Sequence, residues 1–335
     1  MNSIQRKSMR ILAFIVFPLF VLGCSPKESG LTKATEGLQL SLGAILKSDQ
    51  GNYKVYDYKS GEYTLSDSDE LVLAYDKSSS SYILVENGKH YVSHNGQKFE
   101  IKDEDYSSIK LSPNANYISY FVEDEGLKLK LFETKNNREI QFKSNVSISG
   151  TLYDWYDKDT IVYYGVSNDG TNGLFTYNIK ENDEQLLYKI DEGYLAYIKG
   201  TIDNVIFLQL TLENNKELMI IDKNTKNVKN LTDKIESISD VIIKDNDVYF
   251  TGKAAGNSES IYKLENDKPK RLIFDFPTIV RIEKGLKLAE NGEILFIGSN
   301  QSDLNKQEVY SYSEDGTISV LSKGATDYVF LDYRN

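Results

Sequence analysis

Six short apolar runs punctuate the chain: LVLAY from Leu71, YISYF from Tyr117, IVYYG from Ile161, VIFLQ from Val205, VYFTG from Val248 and ILFIG from Ile294. Their starts fall 43 to 46 residues apart. Runs of this length, bounded by polar turns such as SPNAN, YDKDT and AENGE, read as strands buried on both faces. Each is followed by a segment alternating apolar and polar residues, for example LKLKLFE from Leu127 or VYSYSE from Val309. Period-two alternation places one face on a core and the other in water. Asn-, Asp- and Gly-bearing turns follow (ENGK, TKNNR, KENDE, EDG), then a shorter strand such as EIQFK from Glu139 or TISVL from Thr317, which is the pattern of antiparallel hairpins. A fourth strand precedes the turn: SIKLS from Ser108, TLYDWY from Thr151, LAYIKG from Leu195, DVIIK from Asp240 and GLKLA from Gly285.

Four strands in each 43- to 46-residue period predict an all-β fold, a β-propeller, with one blade per period. So even a period disfavours two stacked β-sandwiches. Six blades occupy residues 67–325. Two pieces remain. AILKS from Ala44, YKVYDY from Tyr53 and GEYTLS from Gly61 have the form of the last three strands of a blade, and DYVFLDY from Asp327 that of a first strand. Joined, they make a seventh blade shared by the two ends of a domain spanning 43–335, and closure of that kind leaves no free sheet edge. The stretch LSPNANYISY, Leu111 to Tyr120, resembles the SPDGKYIAY-type element of TolB-like (PD40, WD40-like) propellers. Ser112 and Pro113 precede its turn, and Tyr117, Ile118 and Tyr120 follow it. Asn114, Ala115 and Asn116 depart from the pattern, and the other blades keep only the outline. The resemblance therefore implies a fold and leaves function open.

Residues 1–24 have a different character. Arg6, Lys7 and Arg10 precede an apolar run from Ile11 to Leu22, followed by Gly23 and Cys24. Twelve residues span about 18 Å as a helix, short of a hydrocarbon core of about 30 Å, so the run reads as the h-region of a signal peptide. Val21, Leu22, Gly23 and Cys24 resemble a bacterial lipobox. That resemblance implies cleavage between Gly23 and Cys24 and diacylglyceryl modification of Cys24, leaving residues 1–23 as a lipoprotein signal peptide and 24–42 as the lipidated cysteine and flexible tether. Acyl chains at about 0.8 kcal/mol per buried methylene would hold the chain on a membrane. Cys24 is the single cysteine, which excludes an intramolecular disulfide and a cysteine-based metal cluster.

Composition supports these readings. Tyrosine is heavily used, 24 of 335 residues against 5 prolines, and tyrosine favours pleated surfaces. The net charge is -11, and the three bases of the leader are not offset by any acid there, so the body is more acidic still. An acidic body argues against binding nucleic acid through its phosphates. The use of Lys, Asn, Ile and Tyr points to an AT-rich genome and a Gram-positive cell, with the anchor on the outer face of the cytoplasmic membrane.

Candidate chemistry is sparse. His90 and His94, the only histidines, are expected on one short strand, on one face but about 13 Å apart, too far to share an ion. With both histidines in one stretch and no G-x-S-x-G, a serine-hydrolase triad is not expected. SNDGTNGLF, Ser167 to Phe175, resembles a sialidase Asp-box only in part and is expected to be a hairpin turn. The acidic stretches Ser66–Glu70, Lys102–Tyr106 and Tyr156–Thr160 lack EF-hand spacing and read as solvated turns. Trp155, with Tyr153 and Tyr156, is a candidate for a channel mouth, though a strand aromatic usually packs in a core. No catalytic, cofactor or metal residues are assigned. The expected function is a lipid-anchored extracytoplasmic module that binds a protein, a peptide or a cell-envelope component. The alternative is an enzyme acting on envelope glycan or peptide through carboxylates in the propeller channel.

Overall fold

The computed structural model describes residues 38–103, 105–300 and 306–334. Gln39–Asn335 form one compact unit; the signal peptide, Cys24 and most of the tether lie outside the described residues. That unit is a seven-bladed propeller; blades 3 to 6 are antiparallel sheets of four consecutive strands, and blades 1, 2 and 7 vary that plan. Blade 4 shows the plan: an inner strand Val146–Trp155, a middle strand Thr160–Ser167, an alternating strand Asn172–Asn178 and an outer strand Asp183–Lys189. The middle strand is buried at all six positions from Thr160 to Gly165, as its unbroken apolar run requires, because it packs against a neighbouring blade on each face. Among the described residues six clusters of buried side chains lie between neighbouring blades. One unites Tyr117, Phe121 and Leu131 of blade 3 with Tyr153, Trp155 and Tyr163 of blade 4.

The ring closes as the sequence predicts. Tyr328–Phe330 pairs antiparallel with Ile45–Asp49, followed by Asn52–Lys59 and Glu62–Leu65, to make blade 1. The segment DYVFLDY is not one strand, however. The chain steps across at Leu331, and Asp332–Arg334 adds to the next blade, parallel to Leu71–Asp76. This corrects the frame of the repeat in blade 2. LVLAY, read as a middle strand, is the first of four strands completed by Ser81–Glu86, Lys89–His94 and Gln97–Glu100. It is apolar because the C-terminal strand covers its inner edge, with Tyr333 packed on Tyr75 at 5.5 Å. In blade 7 the inner strand is split into Ile279–Val280 and Leu286–Leu288 by a short 3-10 turn, Ile282–Lys284.

LSPNANYISY forms the predicted strand, turn and strand: Tyr106–Leu111, a 3-10 turn at Pro113–Ala115, and Tyr117–Glu123. Asn114 and Ala115 both adopt positive φ, 64° and 46°, the second of them where the related motif carries glycine. Ser112 Oγ accepts the Tyr117 amide at 3.0 Å and closes the turn. Gln39–Leu42 also pack on the ring: the Ser41 amide donates to Asp57 at 2.7 Å and Tyr333 donates to the Leu40 carbonyl at 3.1 Å.

Candidate functional site: the charged channel

The inner strands surround a channel of about 1370 Å³. Five of them contribute one charged side chain each, Lys110 from blade 3, Asp154 from blade 4, Lys199 from blade 5, Asp240 from blade 6 and Lys287 from blade 7; blade 2 receives two, Asp332 and Arg334, from the C-terminal segment, and the inner strand of blade 1, Tyr328–Phe330, supplies none. The signs alternate around the ring until Arg334 meets Lys110. Five single charges and one pair make four cations against three acids, so Lys110 and Arg334 share Asp154 and the set carries one excess positive charge. The first five recur at intervals of 41 to 47 residues, a signal visible in SIKLS, TLYDWY, LAYIKG, DVIIK and GLKLA that analysis of apolar positions alone passes over.

A single device links successive blades. Lys110 Nζ donates to the Tyr153 carbonyl at 2.8 Å and pairs with Asp154 at 3.2 Å. Two blades on, Lys199 Nζ donates to the Val241 carbonyl at 2.7 Å and pairs with Asp240 at 2.5 Å. The second oxygen of each aspartate accepts an amide from the following blade, Gly200 for Asp154 at 3.0 Å and Leu286 for Asp240 at 2.9 Å. Gly200 is required by this approach, since a Cβ there would lie 2.1 Å from the Trp155 carbonyl oxygen. Arg334 completes the set with Asp154 at 3.4 Å and Asp332 at 3.2 Å.

Burial alone would raise the aspartate pKa values. For Asp154 the charges of Lys110 and Arg334 and the amides of Gly200 and Trp155 outweigh it and hold the carboxyl well below its usual range. Asp240, beside Lys199 and Lys287, and Asp332, beside Arg334 and Lys287, are likewise lowered against the opposing effect of burial. The unfolded chain therefore takes up protons first on acidification. The stabilisation is complete above the ordinary carboxylate pKa and is lost as pH falls below it. Urea midpoints should be flat from pH 7 to 5 and fall steeply from pH 4 to 3, with a shallower fall in Asp154→Asn.

One mouth of the channel is formed by the turns joining inner and middle strands, including Pro113–Asn114, Asp157–Asp159 and Thr201–Asn204. Tyr156 stands here, clamped by Lys223 over its ring at 4.6 Å and by Lys226 donating to its hydroxyl at 2.6 Å. Lys223 Nζ also donates to the carbonyls of Tyr156 and Thr201. Burial lowers its pKa to about 8, against the pull of Asp157, Asp154 and Asp203. At the tip of the adjacent turn Ile202 is 81% exposed.

The other sequence candidates fall elsewhere. Trp155 and Tyr153 are core residues, 2% and 1% exposed, so of that aromatic group only Tyr156 reaches the mouth. His90 and His94 share the strand Lys89–His94, as expected. His90 packs edge-on against Tyr106, whereas His94 hydrogen-bonds Ser81 Oγ at 2.8 Å. Ser167–Phe175 contains the hairpin turn, with Asp169 accepting the Thr171 amide at 3.1 Å. Asp159 of the third acidic stretch pairs with Lys180 at 2.8 Å. Among the described residues no group of His, Cys, Asp and Glu is placed to hold a metal ion, and no helix is long and apolar enough to cross a membrane.

No family model and no curated protein matches the chain. Solved structures do. The β-propeller domain of the Trilobed protease from Pyrococcus furiosus is 13% identical, with a TM-score of 0.56 over 86% of this chain and 99% of that one. Oligogalacturonate lyase in complex with manganese is 14% identical, with a TM-score of 0.51 over 86% of each chain. TolB from Acinetobacter baumannii is 12% identical over 88% of this chain and 80% of its own, with a TM-score of 0.46. Identities this low establish a shared propeller fold and nothing of activity, and the third match adds no weight to that.

Proposed function

We propose that this propeller is a lipid-anchored, extracytoplasmic binding module, tethered through Cys24, that receives part of a protein, peptide or envelope polymer at the channel mouth lined by Tyr156 and Ile202. The observation that carries this reading is the state of the throat carboxylates. A glycosidase-type pair needs one acid whose pKa is raised so that it can donate a proton. Asp154, Asp240 and Asp332 are all shifted the other way, and Asp154 and Asp240 have both oxygens engaged by cations and backbone amides. Such carboxylates serve to fix a rigid ring. The mouth, in contrast, presents a clamped aromatic and an exposed aliphatic side chain on short turns, the arrangement that suits recognition.

The test is affinity capture from membranes with three proteins: the full chain, the chain begun at Ser25, and the full chain carrying Tyr156→Ala with Ile202→Asp. A stoichiometric partner retained by the first two and lost by the third is the expected result. Phe274→Asp, between blades 6 and 7 at the opposite rim, should leave capture unchanged. Equal capture by all of them, or by none, would sink the assignment of the mouth. Cys24→Ala should abolish incorporation of labelled fatty acid and release the protein from the membrane.

A further inference from the structure

The latch joining successive blades occurs twice and then fails. Lys110 closes on Asp154, and Lys199 closes on Asp240. The blade after that of Lys287 is blade 1, whose inner strand Tyr328–Phe330 offers no acid, and Asp332, one blade further on, pairs with Arg334. Among the described residues Lys287 has no hydrogen bond and no ion pair, although it lines the channel between Asp240 and Asp332. Burial disfavours its protonated form, with smaller help from the charges of Lys199 and Arg334, and outweighs the opposing pull of Asp332 and Asp240. Arg334 has a free donor as well, since its Nε is buried without an acceptor. The ring therefore holds one cation more than it has acids, and its unmet donors belong to Lys287 and Arg334.

An unpaired ammonium deep in a channel is costly unless it meets a counter-charge. We infer that Lys287, assisted by Arg334, seats a compact anionic group, a carboxylate or a phosphate, on the ligand that enters the channel. Lysine and arginine are the side chains suited to either group. The neighbouring acids do not preclude this, because both oxygens of Asp240 are held by Lys199 and backbone amides and Asp332 is held by Arg334. This inference rests on the reading of the channel as a ligand site, but its test needs no partner.

Wild-type protein and Lys287→Met are melted in sodium phosphate and in sodium acetate, against sodium chloride of equal ionic strength to remove general screening. A saturable rise of a few degrees in wild type with one or both anions is expected, absent from the variant. The responding anion identifies the group. The variant in chloride should melt within a degree or two of wild type, because it loses no hydrogen bond or ion pair, only the longer-range pull of Lys287 on Asp240 and Asp332. In wild type alone, phosphate or acetate at ten times its dissociation constant should slow acylation of Lys287 by an amine-directed reagent about tenfold, read by mass spectrometry, with Lys128 as the exposed reference. Equal anion shifts in both proteins, no shift and no protection in wild type, or a variant melting several degrees lower would each overturn the inference. The last outcome would mean that Asp332 turns to Lys287 and the latch closes a third time.

Discussion

Ending the chain after Thr326 is expected to yield protein that aggregates or melts without a cooperative transition. The deleted segment inserts Tyr328, Phe330 and Leu331 into the interior, at 1%, 7% and 1% exposure. At about 1.5–3 kcal/mol for each buried side chain the loss is on the order of 5–9 kcal/mol, comparable with the whole stability of a typical domain, about 5–15 kcal/mol. It also strips the ladder from Ile45–Lys47 and leaves an open sheet edge on each side of a gap in the ring. A second truncation, after Leu331, separates closure from lining. It keeps the strand Tyr328–Phe330 and removes only the strand on blade 2, so it should fold but melt lower. Circular dichroism melts with size-exclusion profiles decide the matter. If both truncations behaved alike, Asp332–Arg334 would share in closure rather than only line the channel.

Asp154→Ala should be the most damaging single substitution in the channel. It removes the common counter-ion of Lys110 and Arg334, the two cations that the C-terminal strand brings together, and the acceptor of the Gly200 amide. Breaking a buried pair from one side costs about 3–5 kcal/mol, and the melting temperature should fall by on the order of 10 °C. The double variant Asp154→Ala with Lys110→Met should recover part of that loss, because most of the cost lies in the stranded charge. A surface pair such as Lys128–Asp124, both partners more than half exposed, makes a suitable contrast, since exposed pairs contribute about 0–1 kcal/mol. If Asp154→Ala cost no more than Lys128→Ala, the ring would be ornamental to stability.

How far the sequence was legible depends on how local the cause was. Middle strands such as Ile161–Gly165 are apolar throughout because they are covered on both faces, so burial is written directly into their composition. Lys89–His94 could be recognised as a strand from its flanking glycines, but the packing of His90 on Tyr106 and the bond from His94 to Ser81 join different strands and left no local trace. The Leu71 strand misleads for a physical reason. Inner strands of the other blades border the open channel and are mixed in polarity, whereas this one is sheltered by a strand contributed from residue 332 onward and has the composition of a middle strand. Trp155 and Tyr156 are adjacent in sequence, yet one is core and the other mouth, because the strand ends between them.

The sequence by itself determined the all-β architecture, the period of the blades, their number and the closure of the ring by its two ends, because each follows from short-range alternation repeated along the chain. It also carried the charged residue of the inner strands of blades 3 to 7, one per period. Only the tertiary structure decided what those residues do. Whether a charge on an inner strand meets a partner depends on where the neighbouring blade places its carbonyls and carboxylates, and on the acid and base that the C-terminal strand adds. Lys110, Lys199 and Lys287 occupy equivalent strands, and nothing local separates them. The C-terminal strand does, by bringing Arg334 to Asp332 and leaving Lys287 without a partner.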